Sequence, residues 1–159
     1  MTQQLPTLMG AVLEDVATYL GDRVERVLLQ PGDEVAWDDC CNGQLAVRLI
    51  ALAPIPSGAP GARPCPPAGW NATLGISMIR CVATLQDDGE PPTAEAITAD
   101  ALDVLGDMVL IQIAIDCITR ARPEVQRLEL LSWTPLGPAG GCAGGEWRLH
   151  MFVPSCACP

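Results

Sequence analysis

The sequence contains no lysine and has only one histidine, one phenylalanine and one tyrosine. Without lysine, neither a Schiff base nor the lysine of a phosphate-binding P-loop can form. With so few aromatic rings, the interior has to be packed mainly from aliphatic side chains. Acidic residues outnumber arginines by 19 to 9, which gives a net charge of −10. The chain therefore has no basic surface with which to grip the phosphates of nucleic acid.

Long apolar runs are also missing. A helix that spans a bilayer needs about 20 consecutive apolar residues. The nearest candidate, residues 108–115, is interrupted by Gln112 and flanked by Asp107 and Asp116. The first residues lack the cationic segment and apolar run of a secretion signal. We therefore expect a soluble protein that is made in the cytoplasm and has no membrane partner.

Cysteine, in contrast, is plentiful. None of the eight cysteines forms a pair with the two-residue separation of a zinc knuckle; Cys40 and Cys41 are adjacent, and a Cys-x-Cys lies near the C-terminus. The spacing does not favour a structural zinc site, and we predict no metal and no cofactor. A disulfide between Cys142 and either Cys40 or Cys41 is kept as a hypothesis. Cys81 and Cys117 are interpreted as ordinary buried thiols.

Periodicity predicts a single domain over residues 1–159 with an α+β fold. We expect a mainly antiparallel sheet of about four strands, packed by an N-terminal helix at 7–20 and a long second helix at 93–119. The predicted strands are 44–52, 74–85, 125–133 and 146–153, with a further short strand at 24–29.

The second helix is predicted to be amphipathic, with Thr93 as its N-cap. Its apolar residues are expected to face the core; they are Ile97, Ala101, Val104, Leu105, Met108, Ile111, Ile115 and Ile118. Its acids are expected on the opposite, solvated face; they are Glu95, Asp100, Asp103 and Asp107.

Two segments rich in proline or glycine are interpreted as loops. Residues 54–73 are predicted to form a proline-rich projecting loop, because proline donates no hydrogen bond to a sheet ladder. Residues 134–145 are predicted to form a glycine-rich hairpin loop, and 154–159 a flexible tail. The glycine loop is not followed by Lys-Ser or Lys-Thr and leads into a strand, so it offers no phosphate site. A hairpin tip that contacts another protein is the favoured interpretation.

Catalytic chemistry has few candidate residues. His150 is predicted to lie on the polar face of a strand beside Arg148 and to face solvent. A Cys–His pair of Cys142 and His150, brought together by the hairpin, is the only nucleophile–base arrangement that the sequence suggests. Nothing else supports it, and we predict that the protein is not an enzyme.

Arginines and tryptophans supply the candidate interface residues. Arg48 and Arg80 lie in otherwise apolar strands, where an isolated charge is costly unless it is paired. They suit pairing with the acids of a neighbouring subunit, although an exposed sheet face explains them equally well. Tryptophan is enriched at interface anchors, with a position at the edge of the core as the alternative. The candidates are Trp37, Arg48, Trp70, Arg80, Trp133, Gly140, Gly141 and Trp147.

Two runs carry a family resemblance. They are Asp38-Asp-Cys-Cys-Asn-Gly-Gln-Leu-Ala-Val-Arg48 and Trp133-Thr-Pro-Leu-Gly-Pro followed by Gly-Gly-Cys-Ala-Gly-Gly-Glu-Trp147. In these runs, and in its predicted order of helix, strand, flap, strand, long helix and hairpin, the chain resembles the tail terminators of long-tailed actinobacterial phages, which join head to tail.

The resemblance implies a structural virion protein of the phage neck. Such a protein forms a ring, commonly a hexamer, that caps the head-proximal end of the tail tube. Its partners would be copies of itself, the tail tube protein and the head connector, while DNA passes through the lumen without specific binding. Two alternatives stay open: the neighbouring connector or stopper protein, and a small cysteine-based metal-binding or redox protein.

Overall fold

The computed structural model describes residues 4–37, 40–55, 69–85, 89–121 and 128–154. Over these residues the fold is α+β, as predicted, with two helices and one five-stranded, mostly antiparallel sheet. A 3₁₀ turn at Gly21–Arg23 follows the first helix. The elements are α1 (Gln4–Leu20), β1 (Arg26–Pro31), β2 (Gln44–Ile55), β3 (Gly69–Cys81), α2 (Ala94–Ala121), β4 (Leu128–Ala139) and β5 (Cys142–Pro154).

The strand order across the sheet is β1-β2-β3-β5-β4. β1 pairs with β2 in parallel, and every other neighbouring pair is antiparallel. The short strand suggested at 24–29 is therefore real and forms one edge of the sheet, while β4 forms the other edge. A parallel pair needs a crossover, and here the crossover is the segment 32–43.

The helices cover one face of the sheet, which we call the first face. α1 lies on β1 and β2, whereas α2 lies on β5, β3 and β4. Alternate residues of the paired strands point to this face, as the pleat requires. They pack with the apolar stripe of α1 and with buried residues of α2 to form the main core, which includes Val12, Val16, Leu45, Val47, Leu74, Ile76, Ile115, Leu149 and Met151.

The opposite, second face of the sheet is covered in part by the described residues of segment 32–43, the covering loop. Gln44 Nε2 donates to the Ala36 carbonyl at 2.8 Å, and Gln30 Nε2 donates to the Glu34 carbonyl at 2.9 Å. Trp37 packs in a small second core around Ile79. A segment that the sequence identifies only as a loop therefore covers part of the second face of the sheet.

α2 begins as predicted and then departs from the prediction. Ala96 N donates to Thr93 Oγ1 at 3.2 Å, which confirms Thr93 as the N-cap. Ile111 and Ile115 are buried, as expected. Ile97 and Leu105, expected in the core, are exposed. Of the helices in the described ranges, neither is long and apolar enough to cross a bilayer.

The predicted proline-rich loop is shorter than expected. β2 continues to Ile55 and β3 starts at Gly69, so residues 54, 55 and 69–73 belong to strands. Pro54 pairs with Trp70 in the β2–β3 ladder. β1 pairs with β2 only as far as Leu49, so beyond it the other side of β2 is a sheet edge, where a missing N–H does no harm. The rest of the predicted loop, 56–68, lies outside the described residues, as does 155–159.

The predicted glycine-rich hairpin loop is also mostly strand. β4 runs to Ala139 and β5 begins at Cys142, which leaves Gly140 and Gly141 as the turn. Both have positive φ, 58° and 82°, which glycine adopts without strain. Gly144 and Gly145 serve close packing instead: a Cβ there would collide with the β3 backbone and with the Trp133 indole, respectively.

Candidate functional site

The predicted Cys–His pair is not brought together. Cys142 and His150 lie eight residues apart on β5, which places them about 27 Å from each other along an extended strand. Cys142 is also bonded to another cysteine. His150 is partly buried rather than facing solvent, opposite Thr73 on β3 and Glu129 on β4.

Four cysteines from three segments converge at one end of the second face. Cys40 is bonded to Cys142, which is one of the two pairings that the sequence left open, and Cys41 is bonded to Cys81. The Sγ atoms of Cys40 and Cys81 lie 3.7 Å apart. The interpretation of Cys81 as an ordinary thiol was wrong. Among the described cysteines, Cys117 on α2 is the free one.

A tight turn presents the two adjacent cysteines. Gly43 N donates to the Cys40 carbonyl at 2.9 Å, and Arg26 N donates to the Gly43 carbonyl at 3.1 Å. Gly43 has a φ of 80°, and a Cβ there would collide with the Arg23 carbonyl, so this turn requires glycine. The turn is thereby fixed against the 3₁₀ turn and the start of β1.

The two sulfur bridges differ in their access to solvent. Cys40 and Cys142 are buried. Cys41 is exposed and lines a polar cavity of about 480 Å³, together with Arg23, Arg80 and other residues of the same corner. A reductant or an ion from solvent therefore reaches the cluster from the side of Cys41.

A buried ion cluster lies near the middle of the second face. Arg48 on β2 is 1% exposed and pairs with the buried Glu146 on β5, whose other oxygen accepts from Arg148 Nε at 3.0 Å. Burial lowers the pKa of Arg48, and the charge of Arg148 lowers it further. An arginine stays protonated even so. Gly75 leaves space for the Glu146 carboxylate, because a Cβ there would touch it.

A second ion cluster fixes the rotation of α2. The buried Asp107 accepts hydrogen bonds from Arg23 Nε at 2.7 Å and from Arg80 Nε at 2.8 Å. The bond to Asp107 raises the pKa of Arg23. Asp103 also binds Arg23, and Asp100 accepts from the backbone N–H of residue 83. The prediction of a solvated face was wrong for Asp107, which is buried between the 3₁₀ turn and β3. Asp103 stays half exposed beside Arg23, and Glu95 is exposed as predicted.

Because Asp107 and Asp100 point toward β3 and its extension, part of the aliphatic surface of α2 points outward. We call the exposed set Leu102, Leu105, Val109 and Ile113 the α2 stripe. Beside it, an apolar cavity of about 610 Å³ opens between α2 and the β4–β5 hairpin. Its lining includes Ile97, Val104, Leu105, Trp133 and Leu136.

A different apolar surface lies at the other edge of the sheet. Val27 and Leu29 of β1 are both exposed, and we call this pair the β1 patch. α1 packs on β1 and β2 without covering these two side chains. The β1 patch therefore lies on one edge strand of the sheet, whereas the cavity beside the α2 stripe is lined by β4, the other edge strand.

In the described part of the chain, the tryptophans among the interface candidates mainly pack against the chain's own core. Trp70 and Trp147 pack against the main core, and Trp147 Nε1 donates to the Met108 carbonyl at 3.0 Å. Trp37 packs in the second core, and Trp133 lines the apolar cavity. These positions agree with the core-edge alternative for Trp37, Trp70 and Trp147.

The predicted partners of two arginines require correction. Arg48 and Arg80 were expected either to pair with a neighbouring subunit or to lie on an exposed sheet face. Instead each has an acid within the chain, Glu146 and Asp107 respectively, and Arg48 is buried. Sequence reasoning missed both acids. The available signal was the arginines themselves, because a charge in a buried strand requires a counter-charge on a neighbouring element.

Comparison with known proteins finds no matching family model and no similar curated protein.

Proposed function

We propose that the chain is a structural assembly subunit that forms a closed ring with copies of itself, and specifically a tail terminator at the head-proximal end of a phage tail tube. The observation that carries the assembly role is the presence of two unlike apolar surfaces at opposite edges of the sheet. These are the α2 stripe, with its adjoining cavity, and the β1 patch. The terminator assignment adds the resemblance carried by residues 38–48 and 133–147.

Contiguous exposed aliphatic surface marks interaction sites more often than it is left in solvent. Leu102 is 64% exposed, and three further aliphatic residues follow it along the same side of α2. The rotation of the helix that exposes them is held by the ion pairs of Asp107. The exposure is therefore built into the fold and does not depend on a loosely packed helix.

Two unlike surfaces on opposite sides suit a head-to-tail contact, in which one patch of each copy meets the other patch of the next. Such contacts close into rings when the rotation per copy divides a full turn. The resemblance implies six copies. At −10 per chain, a ring would carry a strongly negative field, which suits a lumen that passes DNA without holding it.

The test uses one charge substitution in each patch, Leu102→Glu and Leu29→Glu, with mass measured by native mass spectrometry and analytical ultracentrifugation. Leu85→Glu is the matched control, because Leu85 is 66% exposed and lies outside both patches. We expect rings from the wild type and the control and monomers from each patch variant. A mixture of the two variants should give dimers that do not grow further, because each retains one intact patch.

Two results would contradict the proposal. One is a wild-type chain that stays monomeric at every concentration; the other is unchanged assembly of both patch variants. The partner that the assembled ring binds then distinguishes a tail terminator from a stopper protein. A terminator ring should bind the ends of purified tail tubes, whereas binding to head connectors alone would indicate the stopper.

A further inference from the structure

Three of the four clustered cysteines have the arrangement of a metal site, and the fourth is bonded to one of them. The Sγ atoms of Cys40, Cys41 and Cys81 lie within 4.8 Å of one another, and Cys142 is bonded to Cys40. A tetrahedral zinc ion with Zn–S bonds of about 2.3 Å places its sulfurs about 3.8 Å apart. The 3.7 Å between Cys40 and Cys81 already matches that spacing.

The backbone that holds these cysteines is also fixed by hydrogen bonds of its own. Cys81 and Cys142 are direct partners in the β3–β5 ladder, and Val82 N donates to the Gly141 carbonyl at 2.9 Å just beyond them. The turn at 40–43 is closed by its own backbone hydrogen bond. Opening the two bridges therefore leaves four thiols close to where they are now. Each bonded sulfur pair then has to separate from about 2.0 Å to about 3.8 Å, which is within the reach of side-chain rotation.

We propose that the reduced chain binds one zinc ion, or a similar thiophilic divalent cation, through Cys40, Cys41, Cys81 and Cys142. Four thiolates select such cations over magnesium and calcium, which take oxygen ligands. Four protein ligands also close the coordination shell, as in structural zinc sites. This inference does not rest on the proposed function.

Metal binding and the disulfides exclude each other. A dithiol reductant gives two electrons and two protons to each disulfide and is itself oxidised to a disulfide. Zinc then displaces the protons of the four thiols as they become thiolates. A disulfide oxidant reverses the sequence and releases the ion. Cys41 is exposed and lines the polar cavity, so it is the sulfur that solvent reaches first.

The test loads the full chain with Co²⁺ under anaerobic conditions after phosphine reduction, and follows the visible absorption of tetrahedral cobalt thiolate. We expect one Co²⁺ per chain, displaced by one Zn²⁺, and none in the oxidised chain. Cys41→Ser should weaken binding by more than about 100-fold, because loss of an outer-shell partner alone costs about 10–100-fold. Cys117→Ser and a triple Cys65→Ser, Cys156→Ser, Cys158→Ser variant should bind as the wild type does.

Three outcomes would overturn the inference: no cobalt in the reduced chain, equal loading of the oxidised chain, or loss of binding in the triple variant with retention in Cys41→Ser. The comparison of reduced with oxidised wild type uses no substitution, so it remains decisive if a cysteine variant fails to fold. Ring assembly is measured separately, so failure of this inference leaves the proposed function standing.

Discussion

The two faces of the sheet are held in different ways. The first face is covered by two helices and packed almost entirely from aliphatic side chains. The second face is covered in part by a loop, linked covalently to the sheet through Cys40 and Cys142, and it contains the buried pair of Arg48 and Glu146. Residues that alternate along one strand thus enter two unlike environments.

The difference shows how a chain poor in aromatic residues can bury both sides of a sheet. Aliphatic packing is non-directional, so most of the first face needs only the right periodicity and volume, and the ion pairs of Asp107 add the rotation of α2. A loop cannot provide a continuous apolar surface, so specific long-range pairs hold it instead. Removing one such pair should lower the stability of the protein by a large, measurable amount, which makes the comparison testable.

The largest expected effect comes from removing the covalent link of the second face. For the double variant Cys40→Ala with Cys142→Ala, the free energy of unfolding should fall by about 4 to 5 kcal/mol, because the bridge closes a loop with a sequence separation of 102 residues. The measurement is guanidinium unfolding without reductant. Cys117→Ala is the control and should change much less; an equal loss would mean that the bridge does not hold this face.

A smaller loss is expected from the ion cluster. Glu146→Gln leaves Arg48 charged and unpaired in a buried position, which costs about 3 to 5 kcal/mol. Arg148→Gln, on the exposed side of the same carboxylate, should cost less than about 1 kcal/mol. Urea unfolding of the two variants makes the comparison, and similar losses would show that burial of Arg48 is not the deciding factor.

The last prediction compares substitutions at two adjacent residues of β3, one on each face of the sheet. Ile76→Ala removes buried aliphatic volume from the first face and should cost about 3 kcal/mol. Ser77→Ala removes a buried hydroxyl that has no hydrogen-bond partner among the described residues, so stability should change by less than about 1 kcal/mol or rise. Thermal unfolding by calorimetry distinguishes them. A large loss for Ser77→Ala would indicate a partner for that hydroxyl, such as bound water.

The sequence predicted the elements better than it predicted their surroundings. Thr93 and the helical spacing located α2 correctly, and alternation located the long strands. Periodicity could not reveal the rotation of α2, because Asp107 is indistinguishable from a solvated acid until Arg23 and Arg80 are brought near it. Likewise, Gly144 and Gly145 suggested a loop, although close contact with β3 and Trp133 is what requires them.

The candidate site, too, was only partly predicted from the sequence. The pairing of Cys40 with Cys142 was one of two hypotheses, whereas the role of Cys81 was missed, because its distance from Cys41 along the chain gives no sign of contact. The α2 stripe was also missed, since its residues were expected to face the core or were not singled out. Neither error could be corrected from spacing alone, because both depend on which distant side chains meet.

By itself, the sequence determined the α+β class, the aliphatic core, the strong negative charge and the absence of lysine chemistry, because these follow from composition and from short-range periodicity. Only the tertiary structure decided which acids are buried, which aliphatic residues remain outside and which cysteines converge. Those outcomes depend on contacts between residues far apart in the chain. A counter-charge there sets the rotation of a helix, and a disulfide there fixes the position of a loop.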